Sequence, residues 1–246
     1  MSSLGAAEWM NVAVALAVLV LSYAIGSIPF AYIIVKSVTG EDITAHGTGN
    51  VGSMNVRRTT GSWGWFVAAV LGDGLKGLVP VLLSKGLVGG FGWRWLLMPV
   101  GVSMGAAGSY ATPARWFLIV PQAAVLGCVL GHNYSAWMAI IERRFARTGK
   151  GLATGAGALL AYDWRYLLAA LIVALLIMAV TRYMLAGQVA AAVALPITAL
   201  MLRSPDWPFA LFMGALVYAA HHKRFVGMVQ GKEPKLYIND RMGPRG

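Results

Sequence analysis

The chain has 246 residues, 58% of them hydrophobic and only 12% charged, with a mean hydropathy of +0.67. A soluble domain carries about a quarter charged residues, so this composition excludes an ordinary water-soluble globule and fits the polytopic membrane class. Lys and Arg number 20 against 9 Asp and Glu, a net charge of +11, yet the cations gather in short loops between apolar runs, which argues against a nucleic-acid binder.

The first apolar run, Val12 to Val35, is long enough to span a bilayer and is interrupted by Gly26 and Pro29 near its end. The residues before it include Glu8 and no Lys or Arg, so it lacks the basic start of a cleaved signal and reads as a retained first span. Further apolar runs cover Trp63 to Leu83, Trp93 to Ala111, Trp116 to Leu130, Leu152 to Tyr162, Tyr166 to Val180, Leu185 to Leu202 and Pro208 to Ala220. Cys128, the one cysteine, lies inside the fourth of these eight runs, which excludes a disulfide framework or a paired-cysteine metal or redox site.

Orientation follows from the placement of Lys and Arg. Thirteen of the 20 cations lie in three segments: 36–61, 133–151 and the tail 221–246. These segments are expected to share the cytoplasmic side, with the N-terminus outside. An even number of crossings must then separate the first two segments, although three apolar runs lie between them. The run Trp93 to Ala111 carries Pro99, Gly101, Gly105 and Gly108, so it is expected to be re-entrant, interfacial or a tight hairpin. The expectation is an all-α bundle of about seven transmembrane helices plus this extra element, N-out and C-in. It forms one membrane-embedded domain over residues 1–246, with cytoplasmic loops at about 36–61 and 132–151 and a tail at 221–246.

Polar residues that a bilayer would exclude carry the functional signal. The first loop reads GEDITAHGTGNVGSMNVRRTTG from Gly40 to Gly61. Its glycines at 47, 49 and 52 alternate with Thr48, Asn50, Ser53 and Asn55 and precede Arg57 and Arg58. Successive backbone N–H groups in such a loop can form an anion nest, with arginine adding bidentate donors for phosphate. Glycine content alone fits a flexible surface loop equally well. Asp73 and Lys76, one turn apart inside the second run, can form a structural ion pair or help to shape a polar site. Gly131 and His132 close the fourth run, and TGKGLAT follows from Thr148 to Thr154. There Lys150 stands just before a helix start, an arrangement able to hold phosphate. The full P-loop pattern is missing and no strand precedes it, so a nucleotide-hydrolysing P-loop is excluded. His221 and His222 supply a candidate base or a basic cap near the membrane. As neighbours they do not share a helix face, so a metal site built from the pair is not expected.

Taken in order, these segments resemble the integral-membrane acyl-phosphate:glycerol-3-phosphate acyltransferases of bacterial phospholipid synthesis. That family's pattern runs GSIP, GxDIRxxGSGNxGATNxxRxxG, DxxKGxxP, GH, GGKGVAT, RY, HxxN and GxExK. The counterparts are Gly26 to Pro29, Gly40 to Gly61, Asp73 to Pro80, Gly131 and His132, Thr148 to Thr154, Arg182 and Tyr183, His221, and Gly231 with Glu233 and Lys235. Departures from that pattern include Thr48 for serine, Met54 for threonine, Thr148 for glycine, Arg224 for asparagine, and Leu185 in the stretch where a serine follows RY. Extra sequence lies around Gly90 to Thr112 and Ser135 to Arg147.

The resemblance implies transfer of an acyl group from acyl phosphate to the sn-1 hydroxyl of glycerol 3-phosphate at a bacterial inner membrane, in a multi-pass protein. It implies no metal, no cofactor, no nucleic acid and no obligatory protein partner; the partners are the two substrates and membrane lipids. Thr48, Asn50 and His221 are the expected catalytic groups. Gly47, Gly49, Gly52, Ser53, Asn55, Arg58, Lys150 and Arg224 are expected to bind substrate phosphate, with Asp73 and Lys76 as a structural polar pair. The departures also fit a catalytically weak relative that binds lipid phosphates or regulates another membrane enzyme.

Overall fold

In a computed structural model of the chain, residues 6–89, 98–100, 103–104, 110–111 and 115–231 are described. Ten helices are present among them. Helix α1 (Ala6–Gly26) and α2 (Phe30–Thr39) come from the first apolar run, broken at Ser27 to Pro29. Proline at 29 has no N–H to continue the ladder, so the break frees carbonyls that other elements take up. Ser135 Oγ donates to the Ser27 carbonyl, and Lys76 Nζ donates to the Ile28 carbonyl at 2.8 Å. A short 3-10 turn (Ile43–Ala45) and α3 (Ser53–Thr60) structure the first loop, and α4 (Trp63–Gly89) is the second apolar run. Next come α5 (Arg115–Asn133), the short α6 (Ala136–Glu142), α7 (Leu152–Tyr162), α8 (Trp164–Thr181), α9 (Met184–Met201) and α10 (Trp207–Val229).

The run Trp93 to Ala111 falls mostly outside the described residues. Its described part includes a two-residue antiparallel pair, β1 (Ser103–Met104) with β2 (Tyr110–Ala111). Helix α10 extends nine residues beyond the expected end at Ala220, carrying His221, His222 and Arg224 in helical conformation. No glycine or proline able to stop it occurs until Gly231, which adopts φ +72°, apart from Gly227, which the helix absorbs.

Five helical stretches among the described residues are long and apolar enough to cross a membrane: Trp9–Thr39, Trp63–Val88, Leu118–Glu142, Trp164–Thr181 and Met184–Met201. Their large side chains face outward in numbers that water would not tolerate. On α8 alone Leu168, Leu171, Ile172, Leu175, Leu176 and Val180 are exposed. This is the burial pattern of a lipid-facing bundle.

The chain divides into two compact units, one reaching Tyr162 and the other starting at Asp163. In the first, α1 packs along α5 and α4 along α7. Small residues allow close backbone approach at both crossings. A Cβ on Gly77 would overlap the Thr154 carbonyl, and one on Gly157 the Gly74 carbonyl. Along α5, Gly127 meets the Leu19 carbonyl and Gly131 the Tyr23 carbonyl in the same way. Near α4's far end, buried Lys85 donates to the carbonyls of Met98 (2.8 Å) and Ala161 (2.7 Å). In the second unit Asp163 caps α8, and the Tyr166 hydroxyl donates to Asp206 Oδ1 at 2.6 Å.

Candidate active site

The first loop is tied down by its own polar residues. Asp42 Oδ1 accepts from the Thr44 N–H at 2.9 Å and its hydroxyl at 2.8 Å, which starts the 3-10 turn. Asn55, on the first turn of α3, reaches back to donate to the carbonyls of Ile43 (3.0 Å) and His46 (2.9 Å). Its side chain is therefore buried beneath the loop, and its Oδ1 sits where a Cβ on Gly47 would lie. Gly47 and Gly49 adopt φ +56° and +67°, values that favour glycine. Gly47, Thr48, Gly49 and Arg58 are exposed, and Asn50, Gly52 and Ser53 are half-buried. Gly52 caps α3 without a side-chain hydrogen bond, and its carbonyl accepts the Asn55 N–H at 2.9 Å.

The two arginines of this loop have different tasks. Arg57 donates to the Gly61 carbonyl at 2.6 Å, and its guanidinium lies 4.8 Å from the centre of the Trp63 ring. Arg58 projects from the next position, with Cδ 3.5 Å from the Cβ position of Gly47. Arg57 thus closes the end of α3, while Arg58 stands over the glycine turn.

The second loop is built on the end of α5. The Thr148 N–H donates to the Asn133 carbonyl at 2.8 Å, and its hydroxyl lies 3.0 Å from the His132 carbonyl and accepts the Ser135 N–H at 3.3 Å. The departure from glycine at 148 therefore adds a cross-link. Gly149 lies on the His132 ring, the Arg147 Nε donates to the Gly149 carbonyl at 3.1 Å, and Gly151, at φ +72°, turns the chain into α7. Partial burial draws the Arg147 guanidinium below the usual arginine range, with Tyr134 opposing, and it stays cationic. Lys150 is half-buried within this turn.

A hydrogen bond joins the two loops: the Val51 N–H donates to the Thr148 carbonyl at 2.8 Å. It links the glycine turn and Arg58 to the Lys150 turn at one end of the first unit. Beneath them Asp73 and Lys76 form the expected ion pair, at 2.7 Å and almost fully buried. His132, which the sequence marked only as part of a motif, joins them with Nδ1 3.6 Å from Asp73 Oδ1. Lys85 carries no such signal in the sequence, because it lies just beyond the apolar run Trp63 to Leu83.

His221 and Arg224 lie on α10 of the second unit. His221 is buried, with Nδ1 2.9 Å from the Val217 carbonyl, and Arg224 is exposed. Arg182 and Tyr183 form the turn between α8 and α9, with Arg182 at φ +62° and Tyr183 capping α9. Leu185 is buried on α9. Among the described residues no group of three or more His, Cys, Asp or Glu side chains is placed to hold a metal.

A lipid-facing helical bundle with two joined glycine-rich cationic loops defines a multi-pass membrane protein. The model of the glycerol-3-phosphate acyltransferase family matches residues 16–231, and the chain belongs to that family of integral-membrane acyltransferases. It is 35% identical over 231 residues to the glycerol-3-phosphate acyltransferase of Thermosynechococcus vestitus, covering 92% of this chain and 98% of that protein. The corresponding enzyme of Clostridioides difficile is 32% identical over 218 residues, covering 88% and 93%. The crystal structure of PlsY (YgiH), an integral membrane glycerol 3-phosphate acyltransferase in its glycerol 3-phosphate form, superposes with a TM-score of 0.69 at 26% identity. That match covers 91% of this chain and 96% of PlsY. The lysophosphatidic acid form of PlsY gives 0.66 at the same identity, covering 90% and 94%.

Proposed function

We propose that this protein transfers a fatty acyl group from acyl phosphate to the sn-1 hydroxyl of glycerol 3-phosphate, for phospholipid synthesis in a bacterial inner membrane. The observation that carries this reading is the Val51–Thr148 hydrogen bond, which brings the two cationic glycine-rich loops together in a chain of this family. The substrate hydroxyl oxygen attacks the acyl carbonyl carbon, the bond from that carbon to the phosphate oxygen breaks, and inorganic phosphate leaves with the bonding pair. The hydroxyl proton passes to His221 or to the departing phosphate. Acyl phosphate is already an activated anhydride, so the protein's task is to neutralise two phosphates and orient the hydroxyl; no metal or nucleotide is needed.

Arg58 and Lys150 hold substrate phosphates, and Arg224 adds a further donor. The backbone from Gly47 through Gly49 and Gly52 to Asn55, with Ser53 at the α3 start, receives the acyl-phosphate anion. Thr48 and Asn50 orient the hydroxyl or polarise the carbonyl. Asn55 serves this loop through the two carbonyls it clamps, and the Asp73–Lys76 pair supports the site from below. In this reading residues 1–246 act as one membrane-embedded domain of about seven crossings, N-out and C-in, with the acyl chain lying between spans. No protein partner is required.

The test is phosphate release by the purified protein in lipid, given palmitoyl phosphate with and without glycerol 3-phosphate, with lysophosphatidic acid assayed in parallel. Phosphate release that requires glycerol 3-phosphate and equals product formation is the expected result. Saturable glycerol 3-phosphate binding without turnover by folded protein would overturn it in favour of a binding or regulatory relative.

A further inference from the structure

Three ionisable side chains lie together beneath the loops. Asp73, Lys76 and His132 are 3%, 5% and 8% exposed. Lys76 Nζ is 2.7 Å from Asp73 Oδ1 and donates to the Ile28 carbonyl at 2.8 Å, in the break between α1 and α2. Asp73 Oδ1 faces His132 Nδ1 at 3.6 Å, beyond hydrogen-bond length but well within electrostatic reach. The other edge of the imidazole is covered by main chain, because a Cβ on Gly149 would overlap its Nε2 and Cδ2. The ring is therefore held between a carboxylate and the backbone of the turn that carries Lys150. Thr148 ties that turn to the same helix end, through the carbonyls of His132 and Asn133.

Buried ion pairs are poor devices for stability, since apolar groups of similar volume often serve as well. A polar chain that starts at the broken first helix and ends under a glycine backbone has a different capacity: it fixes where that backbone lies. We infer that His132 is a positioning residue. Held by the Asp73–Lys76 pair, its ring sets Gly149 and so aims Lys150 and the first N–H groups of α7 at a substrate phosphate. This inference rests on the phosphate-binding role proposed for Lys150. Gly149 fits the same logic, since any larger residue would displace the turn from its support.

The experiment compares full-length protein in lipid nanodiscs with its His132→Ala and His132→Gln variants; glutamine keeps a polar amide near the Nε2 position that lies against Gly149. Hydrogen exchange of the amides of residues 148–151 reports the turn itself, independently of turnover. Steady-state kinetics give kcat and a separate KM for glycerol 3-phosphate and for palmitoyl phosphate. His132→Ala is expected to speed exchange in the turn about tenfold and to lower kcat/KM by about 10- to 100-fold, as loss of an orienting outer-shell group does. One substrate's KM should rise while the other stays within about twofold, because one phosphate is held by this turn. His132→Gln should recover most of both losses.

Unchanged exchange in His132→Ala, or equal losses in both variants, would overturn the inference. If His132→Ala does not fold, Asp73→Asn, which keeps the side-chain volume, takes its place with the same expected exchange and KM changes. A wild-type protein that never turns over would overturn the acyltransfer reading, and the exchange comparison alone would then decide the positioning role.

Discussion

At the scale of single residues, neighbouring side chains of the same type do different work. Arg57 is committed to Gly61 and Trp63, whereas Arg58 stands exposed beside the glycine turn. Arg58→Lys keeps the charge but loses the planar pair of donors. It should reduce kcat/KM by about tenfold and Arg58→Ala by about 100-fold, with phosphate release as the readout. Arg57→Ala should act mainly on folding, read as a lower unfolding midpoint in detergent with KM little changed. Lys150→Ala should cost at least about 100-fold in turnover without loss of the folded protein, and near-wild-type activity would sink its assignment. Thr148 shows how a departure from a motif can be absorbed. Its hydroxyl takes up groups at the end of α5 that glycine would leave to water or to other partners.

At the scale of helices, motif glycines that invite a catalytic interpretation prove to be packing surfaces. Gly77 of the DxxKG segment and Gly157 form reciprocal contacts where α4 crosses α7, each facing a backbone carbonyl of the other helix. Gly131 of the GH pair does the same for α5 against α1. An added methyl there cannot be accommodated by a side-chain shift, because the opposing atoms are main chain. Gly77→Ala and Gly157→Ala should each destabilise the first unit by about 1–3 kcal/mol. The check is thermal unfolding in detergent followed by size exclusion. Gly155→Ala, at a position where a Cβ meets nothing within 4 Å, should leave the midpoint unchanged.

At the scale of the molecule, the parity of crossings determines which polar loops face each other. Loop one and loop two are joined by the Val51–Thr148 bond, which requires α4 and α5 to leave and return to the same end of the first unit. With Cys128 replaced by alanine, single cysteines placed by Thr48→Cys, Arg144→Cys and His222→Cys should react with an impermeant thiol reagent only after the cytoplasmic side is opened. Trp9→Cys should react in intact cells. Labelling of Thr48→Cys and Arg144→Cys from opposite sides would break the shared-side arrangement on which the site depends.

The sequence alone determined the membrane class, because lipid solvation leaves its mark on composition, and the order of apolar runs and basic loops, because helix length and charge sidedness are local properties. It also marked the glycine turns, Arg58 and Lys150, whose chemistry is visible in residue type and spacing. Only the tertiary structure decided that Asn55 clamps its own loop, that Arg57 closes a helix end, and that His132 lies between Asp73 and Gly149. It also showed Lys85 binding carbonyls from two distant segments. Each of these depends on which helices cross and at what depth. Close backbone approach at a few glycines sets that geometry, and hydropathy along the chain contains no trace of which neighbour a glycine will meet.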